Sequence, residues 1–487
     1  MDDNQQPPTG ARARIKNQVD GGNVTAMPPA TIQRPNMMFF DPEELNEKYA
    51  VVMVGSKTMI LEENFNDFED QDDRVPAQDR LRFMAFDALE KWMANDLLYD
   101  KDKDKEVAKS RVWLASPRRR QFRGVVFEPE GAPGGYYNLW RGWAVEPSEN
   151  GSCKKFKDHM MTNLCNNDQD LFNRVFGWAA HIFQRPTERL GVALAIRGGK
   201  GTGKTFFGEA IGYLMGSHHL LVDDSRYVTG NFNAHMASLL LLQADEGFWA
   251  GDVAAEGRLK GLVTSKTQMI EAKGVDAISV KNYLRLMVTS NEDWVVPASY
   301  DERRFMVIDC ADYAKQNRQY FKEIDDELKN GGYERLLFEL LNFDLSLAHL
   351  GDIPQTDALV EQKLRTLKPE RQWWYECLHR GWITHGKWQD IIDKNNVHKN
   401  YKSFCDDLGV KHRRSMSELV RGTLKPLVPG ISEKRKTVDD GVRVRSFVFP
   451  NLDACRDAFD EWIGGRVPWS DLPEIYETRE EFDDDPI

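Results

Sequence analysis

Gly191-Val192-Ala193-Leu194-Ala195-Ile196-Arg197-Gly198-Gly199-Lys200-Gly201-Thr202-Gly203-Lys204-Thr205 is the stretch that decides the fold. Its first six residues are a continuous apolar run, the pattern of a strand buried on both faces. From Gly198 to Thr205 the spacing is G-x-x-x-x-G-K-T, that of a phosphate-binding (Walker A) loop. Gly198, Gly199, Gly201 and Gly203, with Lys200 and Thr202 between them, let successive backbone N–H groups turn inward around phosphate oxygens. The helix that follows points its positive end at the same anion. Lys204 is placed to reach the β and γ phosphates of ATP, and Thr205 to hold Mg²⁺. Phe206, Phe207, Ala210, Ile211, Leu214 and Met215 then recur at helical spacing, with Gly216 as a stop.

A phosphate loop binds nucleotide but hydrolyses it only with further groups. A second apolar run, residues 239–244, leads into Asp245-Glu246, 41 positions after Lys204. Asp245 suits the Mg²⁺ shell, and Glu246 suits orienting and deprotonating water. A third run, residues 284–289, broken by Arg285, ends at Ser290-Asn291, where Asn291 is placed to sense the γ-phosphate; taken alone it reads as an Asx turn. Asp301-Glu302-Arg303-Arg304 precedes a last strand, residues 305–308. Arg303 or Arg304 is the candidate to reach a neighbouring subunit's γ-phosphate; alone, the pair reads as a surface ion-pair cluster.

Outward from this core, residues 171–350 alternate short apolar strands with helical segments, the rhythm of an α/β unit with a parallel sheet. Residues 1–37 read as a disordered arm. Residues 49–61 read as a hairpin around Gly55-Ser56-Lys57, followed by an acidic loop and a helix over residues 81–97. Arg118-Arg119-Arg120 and Arg123 form either a DNA-facing patch or a solvated basic face. Near the C-terminus, Val397, Tyr401, Phe404 and Leu408 share a helical face. Ser415-Met416-Ser417-Glu418 is a capping box opening a second helix. Asp439-Asp440-Gly441 then joins two strands carrying Lys434, Arg435, Lys436, Arg443 and Arg445. Helix-turn-helix plus hairpin reads as a winged helix whose wing meets phosphates, or as a protein-packing module with a solvated basic hairpin.

The net charge of the 487-residue chain is −12, yet residues 411–445 hold ten Lys or Arg against four acids, so charge does not exclude nucleic acid. The acidic end, Glu480-Glu481-Phe482-Asp483-Asp484-Asp485-Pro486-Ile487, resembles the tip of bacterial single-strand-binding proteins or is a solubilising tail. Six scattered cysteines without a C-x-x-C pair imply buried thiols. Cys377 and Cys405 lie near His379, His385, His398 and His412, but the spacings match no common finger, and no structural zinc is expected. Neither a secretory signal nor a membrane-length apolar run is present, which implies a cytoplasmic protein, that of the host cell if phage-encoded, with no membrane partner.

The ordered motifs resemble those of the superfamily 3 helicases of DNA viruses, phages and plasmids, in particular the helicase part of phage and poxvirus-like primase-helicases. The resemblance covers residues 113–308 best, and includes Tyr137-Asn138-Leu139-Trp140-Arg141-Gly142-Trp143 and the block from Leu259-Lys260-Gly261 to Lys273-Gly274-Val275-Asp276. In that family the block forms a helix and a pore hairpin that grips DNA through a basic tip. Lys273 matches the tip, with Lys260 and Lys281 in support. Read without the family, it is a tight hairpin with a charged end.

The resemblance implies an AAA+-like ATPase over residues 166–350; by their own patterns the flanks read as a collar or accessory α+β region over 38–165, a winged-helix-like domain over 370–472 and an acidic tail over 473–487. It further implies ATP and Mg²⁺ as cofactors, a hexameric ring, and 3′ to 5′ movement on single-stranded DNA, with forked DNA as substrate. A separate primase, polymerase or single-strand-binding protein would be a further partner. The first 110 residues lack the acidic metal-site pattern of a primase-polymerase, so no primer synthesis is expected. Alternative readings are a DNA-stimulated ATPase that loads a helicase or packages DNA, and a nucleotide-switched origin-binding protein.

Overall fold

Ala193 and Ala195 face one apolar core while Leu194 and Ile196 face another. This two-residue alternation, with every position buried, is what a strand in a sheet covered on both faces requires. The structure, a computed structural model, describes residues 35–63, 81–230, 233–245, 253–271, 277–384, 386–437 and 443–469. Nearly all of the expected arm, most of the acidic loop after residue 63, the acidic tail, Glu246, Lys273 and His385 lie outside the described residues. By internal contacts the chain divides into two units, residues 1–47 with 85–119, and residues 48–84 with 120–487.

In the smaller unit, the helices Glu43–Asn46, Phe86–Trp92 and Lys109–Ala115 accompany a hairpin, Leu97–Asp100 with Lys105–Ala108. Trp113 is fully buried, and its indole N–H donates to Asn46 Oδ1 at 2.9 Å. The buried Lys109 is compensated by Glu44 at 2.7 Å and Asp96 at 3.2 Å.

The larger unit opens with a sheet in which Tyr49–Val54 and Lys57–Glu63 form the expected hairpin. The helix expected over residues 81–97 is instead split. Leu81–Met84 is a strand laid antiparallel on Lys57–Glu63, and only Phe86–Trp92 is helical in this stretch. An available sheet edge outweighs local preference in so short an apolar run.

At the centre of the unit lies a five-stranded parallel sheet made of β1 (Ala193–Arg197), β2 (His219–Val222), β3 (Leu241–Asp245), β4 (Arg285–Ser290) and β5 (Phe305–Asp309). Its order is β2-β3-β4-β1-β5, so the strand leading into the glycine loop sits between β4 and β5. The chain thus reverses its direction of winding beside β1, and open α/β sheets place ligands at the carboxyl ends of strands at such a point. The helices α1 (Gln169–Gln184) and α2 (Lys204–Met215) pack on one face through residues such as Trp178 and Ile211, and α3 (Val253–Thr264) packs on the other through Leu259 and Val263. Thr267–Ile270 and Ile278–Lys281 pair as an antiparallel hairpin between β3 and β4.

A third core, with Trp373, Trp374, Tyr401, Phe447 and Phe459 fully buried, organises the C-terminal part. The helices Pro369–Arg380, Lys394–Asp407 and Leu452–Ile463 surround a three-stranded sheet of Ile391–Asp393, Arg443–Val448 and Ser432–Thr437. The capping box forms as read, with Ser415 and Glu418 satisfying each other's backbone N–H groups. The six cysteines are buried free thiols. No helix among the described residues is long and apolar enough to cross a membrane.

Candidate nucleotide-binding site

The glycine loop leaves β1 with left-handed backbone at Gly201 (φ 75°) and Gly203 (φ 97°), conformations that favour glycine. Space is equally restrictive. A Cβ on Gly198 would lie 2.8 Å from the Cys310 carbonyl oxygen, and one on Gly203 would lie 2.5 Å from His159 Nε2. The loop is pinned from below, since Gly198 N–H donates to the Ser290 carbonyl and Gln316 N–H donates to the Gly201 carbonyl.

Lys204 is buried, and its ammonium donates to the carbonyls of Gly198 (2.9 Å) and Gly199 (2.7 Å) and to Asn291 Oδ1 (3.0 Å). The lysine and the asparagine, 87 positions apart, thus meet at the ends of adjacent strands. Thr205 Oγ1 donates to Asp245 Oδ2 at 3.0 Å, and Thr289 Oγ1 donates to Asp245 Oδ1. Of the proposed carboxylate pair, Asp245 is therefore held facing the loop from both sides. The backbone supporting it is tied by Gln243, whose amide donates to the Thr205 carbonyl at 3.0 Å and whose Oε1 lies 3.0 Å from His219 Nε2. Gln243 fills the place above Gly208, where a Cβ would come within 2.4 Å of it.

A cavity of about 870 Å³ opens over these groups, lined by Lys200, Lys204, Thr205, Asp245, Asn291, Arg318 and neighbours. Arg318, Gln316 and Phe321 are lining residues that no motif marks. Nothing in their spacing distinguishes them, because they reach the cavity through the turn that Gln316 makes against Gly201. Arg318 opens the helix Arg318–Glu327 and makes no side-chain hydrogen bond or ion pair among the described residues. His159, fully buried against Gly203, is pushed down to about 4 by burial and is neutral. Burial, reinforced by the Asp245 charge, raises the carboxyl of Glu209.

Arg303 and Arg304 do not join this cavity. They precede the amino end of β5, while the loop follows the carboxyl end of the parallel neighbour β1. Five strand residues separate the two ends by roughly 15 Å. Arg303 is exposed, and Arg304 is partly buried beside Glu302 at 3.7 Å. Glu302 accepts the backbone N–H groups of both arginines, fixing the turn that carries them. Arg285, the break in the third apolar run, is buried and donates to the carbonyls of Pro186 (2.7 Å), Tyr283 (2.6 Å) and Arg185 (2.7 Å). Burial brings its guanidinium down to about 9.

The basic candidates for DNA contact divide. Lys260 is ion-paired with Glu256 one turn earlier. Lys281 lies 2.6 Å from Glu128, a carboxylate that raises its pKa. Arg118 pairs with Asp41 at 3.0 Å, and Arg120 with Glu63 at 2.7 Å. The C-terminal hairpin is different. Its register sets Arg435 opposite Arg445 and Thr437 opposite Arg443, so these three arginines share one face and Lys434 falls on the other. Arg435, Arg443 and Arg445 are exposed and make no side-chain hydrogen bond or ion pair among the described residues; the side chain of Lys436 is outside them. Like charges directly opposite across a ladder destabilise it.

A family of unknown function (DUF5906) matches residues 196–304, from the end of β1 through Arg304. The chain is 26% identical over 175 residues to the DNA primase-polymerase of Nitratiruptor phage NrS-1, a match covering 35% of this chain and 24% of that protein. It thus spans about a quarter of the length of this relative. The apo structure of the NrS-1 C-terminal region (305–718) has the same fold, with a TM-score of 0.57 and 17% identity over 85% of this chain and 99% of that one. An A-form apo structure of the region matches at 0.58, with 17% identity over 84% of this chain and all of that one.

Proposed function

We propose that this chain is an ATP-dependent replicative DNA helicase of the superfamily 3, AAA+ type, working as a ring, hexameric in keeping with the resemblance and moving 3′ to 5′ on single-stranded DNA. The observation that carries this reading is the convergence of Lys204, Thr205, Asp245 and Asn291 at the carboxyl ends of β1, β3 and β4, while the arginine pair stands at the opposite end of the sheet. A site that binds nucleotide at one end and presents arginine at the other is complete only where two subunits meet. The likeness to a phage replication protein supports the same reading.

The residues present fit Mg²⁺ and ATP. The loop admits no side chain at Gly198 or Gly203, and its cavity brings together two lysines, one arginine and an aspartate already held by two hydroxyls. Lys200, Lys204 and the backbone N–H groups of residues 198–205 would hold the phosphates, and Thr205 with Asp245 the metal. ATP supplies the phosphoanhydride whose hydrolysis drives movement. Asn291 keeps the Lys204 ammonium directed at the loop, Glu246 would take a proton from water, and Arg303 or Arg304 would reach into the neighbouring site. On the DNA side, Lys273 at the hairpin tip would grip the strand. The winged-helix-like C-terminal part would add Arg435, Arg443 and Arg445 to phosphates.

Unwinding of 3′-tailed and 5′-tailed forked duplexes tests the reading. The 3′-tailed fork alone should open, with activity abolished by Glu246→Gln and weakened by Lys273→Ala while nucleotide binding persists. DNA-stimulated hydrolysis without unwinding of either fork would instead favour a loader or packaging motor. Separate Arg303→Ala and Arg304→Ala variants assign the finger: the true one loses about 10³-fold in kcat and keeps nucleotide affinity.

A further inference from the structure

Tyr300 stands just ahead of the Arg303-Arg304 pair, and its ring packs outside the ATPase core. It stacks on Trp462 of the last helix, Leu452–Ile463, with centroids 5.0 Å apart and planes at 17°. The Arg371 guanidinium, from the helix Pro369–Arg380, lies 5.0 Å from the Tyr300 ring and 4.9 Å from that of Trp462. Three groups from three segments thus close a cation-and-ring cluster beside the arginine-bearing turn.

A second line of contact runs beneath it through the helix Asp357–Arg365. Lys363, buried in that helix, donates to the Ile463 carbonyl at 2.7 Å, where a cation suits the carboxyl end of the last helix. Its ammonium also lies within electrostatic reach of Glu302 and Asp301 in the arginine turn. Gln362, on the same helix, accepts the N–H groups of Val295 (2.7 Å) and Val296 (3.2 Å) and donates to the Asp293 carbonyl at 2.6 Å. Those residues closely follow Asn291. Gly465 seals the junction: a Cβ there would come within 2.4 Å of Val360.

We infer that Tyr300, Arg371, Trp462 and Lys363 are positioning residues for the trans-acting arginine, so that the C-terminal part sets catalysis in the adjacent subunit rather than only holding DNA. The inference rests on the reading of Arg303 or Arg304 as a finger. A turn carrying a long cationic side chain across an interface must be held to within about an ångström, and misplacement of that size costs up to about 10²-fold in rate. Glu302 fixes the base of the turn, and the aromatic cluster supplies the hold at its exposed end.

The test is ATP hydrolysis by the full chain with single-stranded DNA, for Tyr300→Ala and Trp462→Ala. Tyr300 is exposed, so its truncation leaves the cores intact and covers the case in which Trp462→Ala fails to fold. Each variant should lose about tenfold in kcat with nucleotide affinity unchanged. Mixing it with Lys204→Ala subunits, inactive in their own loop but with an intact arginine turn, should then restore hydrolysis above the sum of the separate preparations. Unchanged kcat for Tyr300→Ala, or a loss that mixing does not rescue, would overturn the proposal. Arg303→Ala and Arg304→Ala mixed in the same way separate the two claims. If neither is rescued, the finger reading itself fails; if one is rescued and Tyr300→Ala is not, only the positioning role falls.

Discussion

The glycine loop and the C-terminal hairpin both gather positive charge, and they hold it in opposite ways. Lys204 is buried with three acceptors around its ammonium, whereas Arg435 and Arg445 face each other in the open with no carboxylate paired to them among the described residues. A pocket for a small, defined anion gains from groups fixed before the ligand arrives, because ordering them is then not charged against binding. A surface for a polyanion gains from charge left uncompensated, because counterion release from the nucleic acid drives association.

The largest expected effect strikes the first half of that contrast. Lys204→Ala should remove measurable ATP hydrolysis, a loss of at least about 10²-fold. It should also destabilise the nucleotide-free protein by about 1–3 kcal/mol, since the Gly198 and Gly199 carbonyls and Asn291 lose their donor. Calorimetric melting without nucleotide reads the second effect, and an unchanged Tm would mean the lysine is not prearranged.

Replacing Arg435, Arg443 and Arg445 together by alanine should do the reverse. Stability should hold or rise by a few tenths of a kcal/mol as like charges are relieved. Single-strand binding should weaken, and its logarithmic salt slope should fall by about 0.7 for each phosphate that the hairpin no longer neutralises. An unchanged slope in a fluorescence anisotropy titration would mark the hairpin as a protein-packing surface.

The smallest effect is one of pH. Burial pushes His159 and His218 down to about 4, from an ordinary value of 6.5. Between those values the unfolded chain binds more protons than the folded one, so stability is complete above pH 6.5 and is lost as pH falls toward 4. Tm should therefore drop by several degrees between about pH 7 and about pH 4.5. His159→Gln should flatten part of that slope, and an unaltered profile would show that His159 is not the group responsible.

Much of the site is legible in the sequence because it is sequential: loop, lysine and threonine occupy consecutive positions, and each further group ends an apolar run. Four of the five parallel strands follow from such runs. β2 escapes that pattern because His219-Leu220-Leu221-Val222 is a short edge strand, defined by its partner β3 rather than by its own residues. Arg318 is illegible for a similar reason, since only the turn at Gln316 brings it to the cavity. The hairpin arginines are legible as charge but not as a face. That depends on register, and the pairing of Arg435 with Arg445 separates them from Lys434.

Gly208 and Gln243 carry one more implication, for how this sequence can drift. The glutamine amide occupies the volume a methyl group at position 208 would need, while its two ends serve Thr205 and His219. Alanine at 208 alone collides, and a smaller residue at 243 alone abandons two partners and opens a void. Each single step is uphill, and a double change relieves at least the collision, so the two positions should be non-additive in a double-mutant cycle.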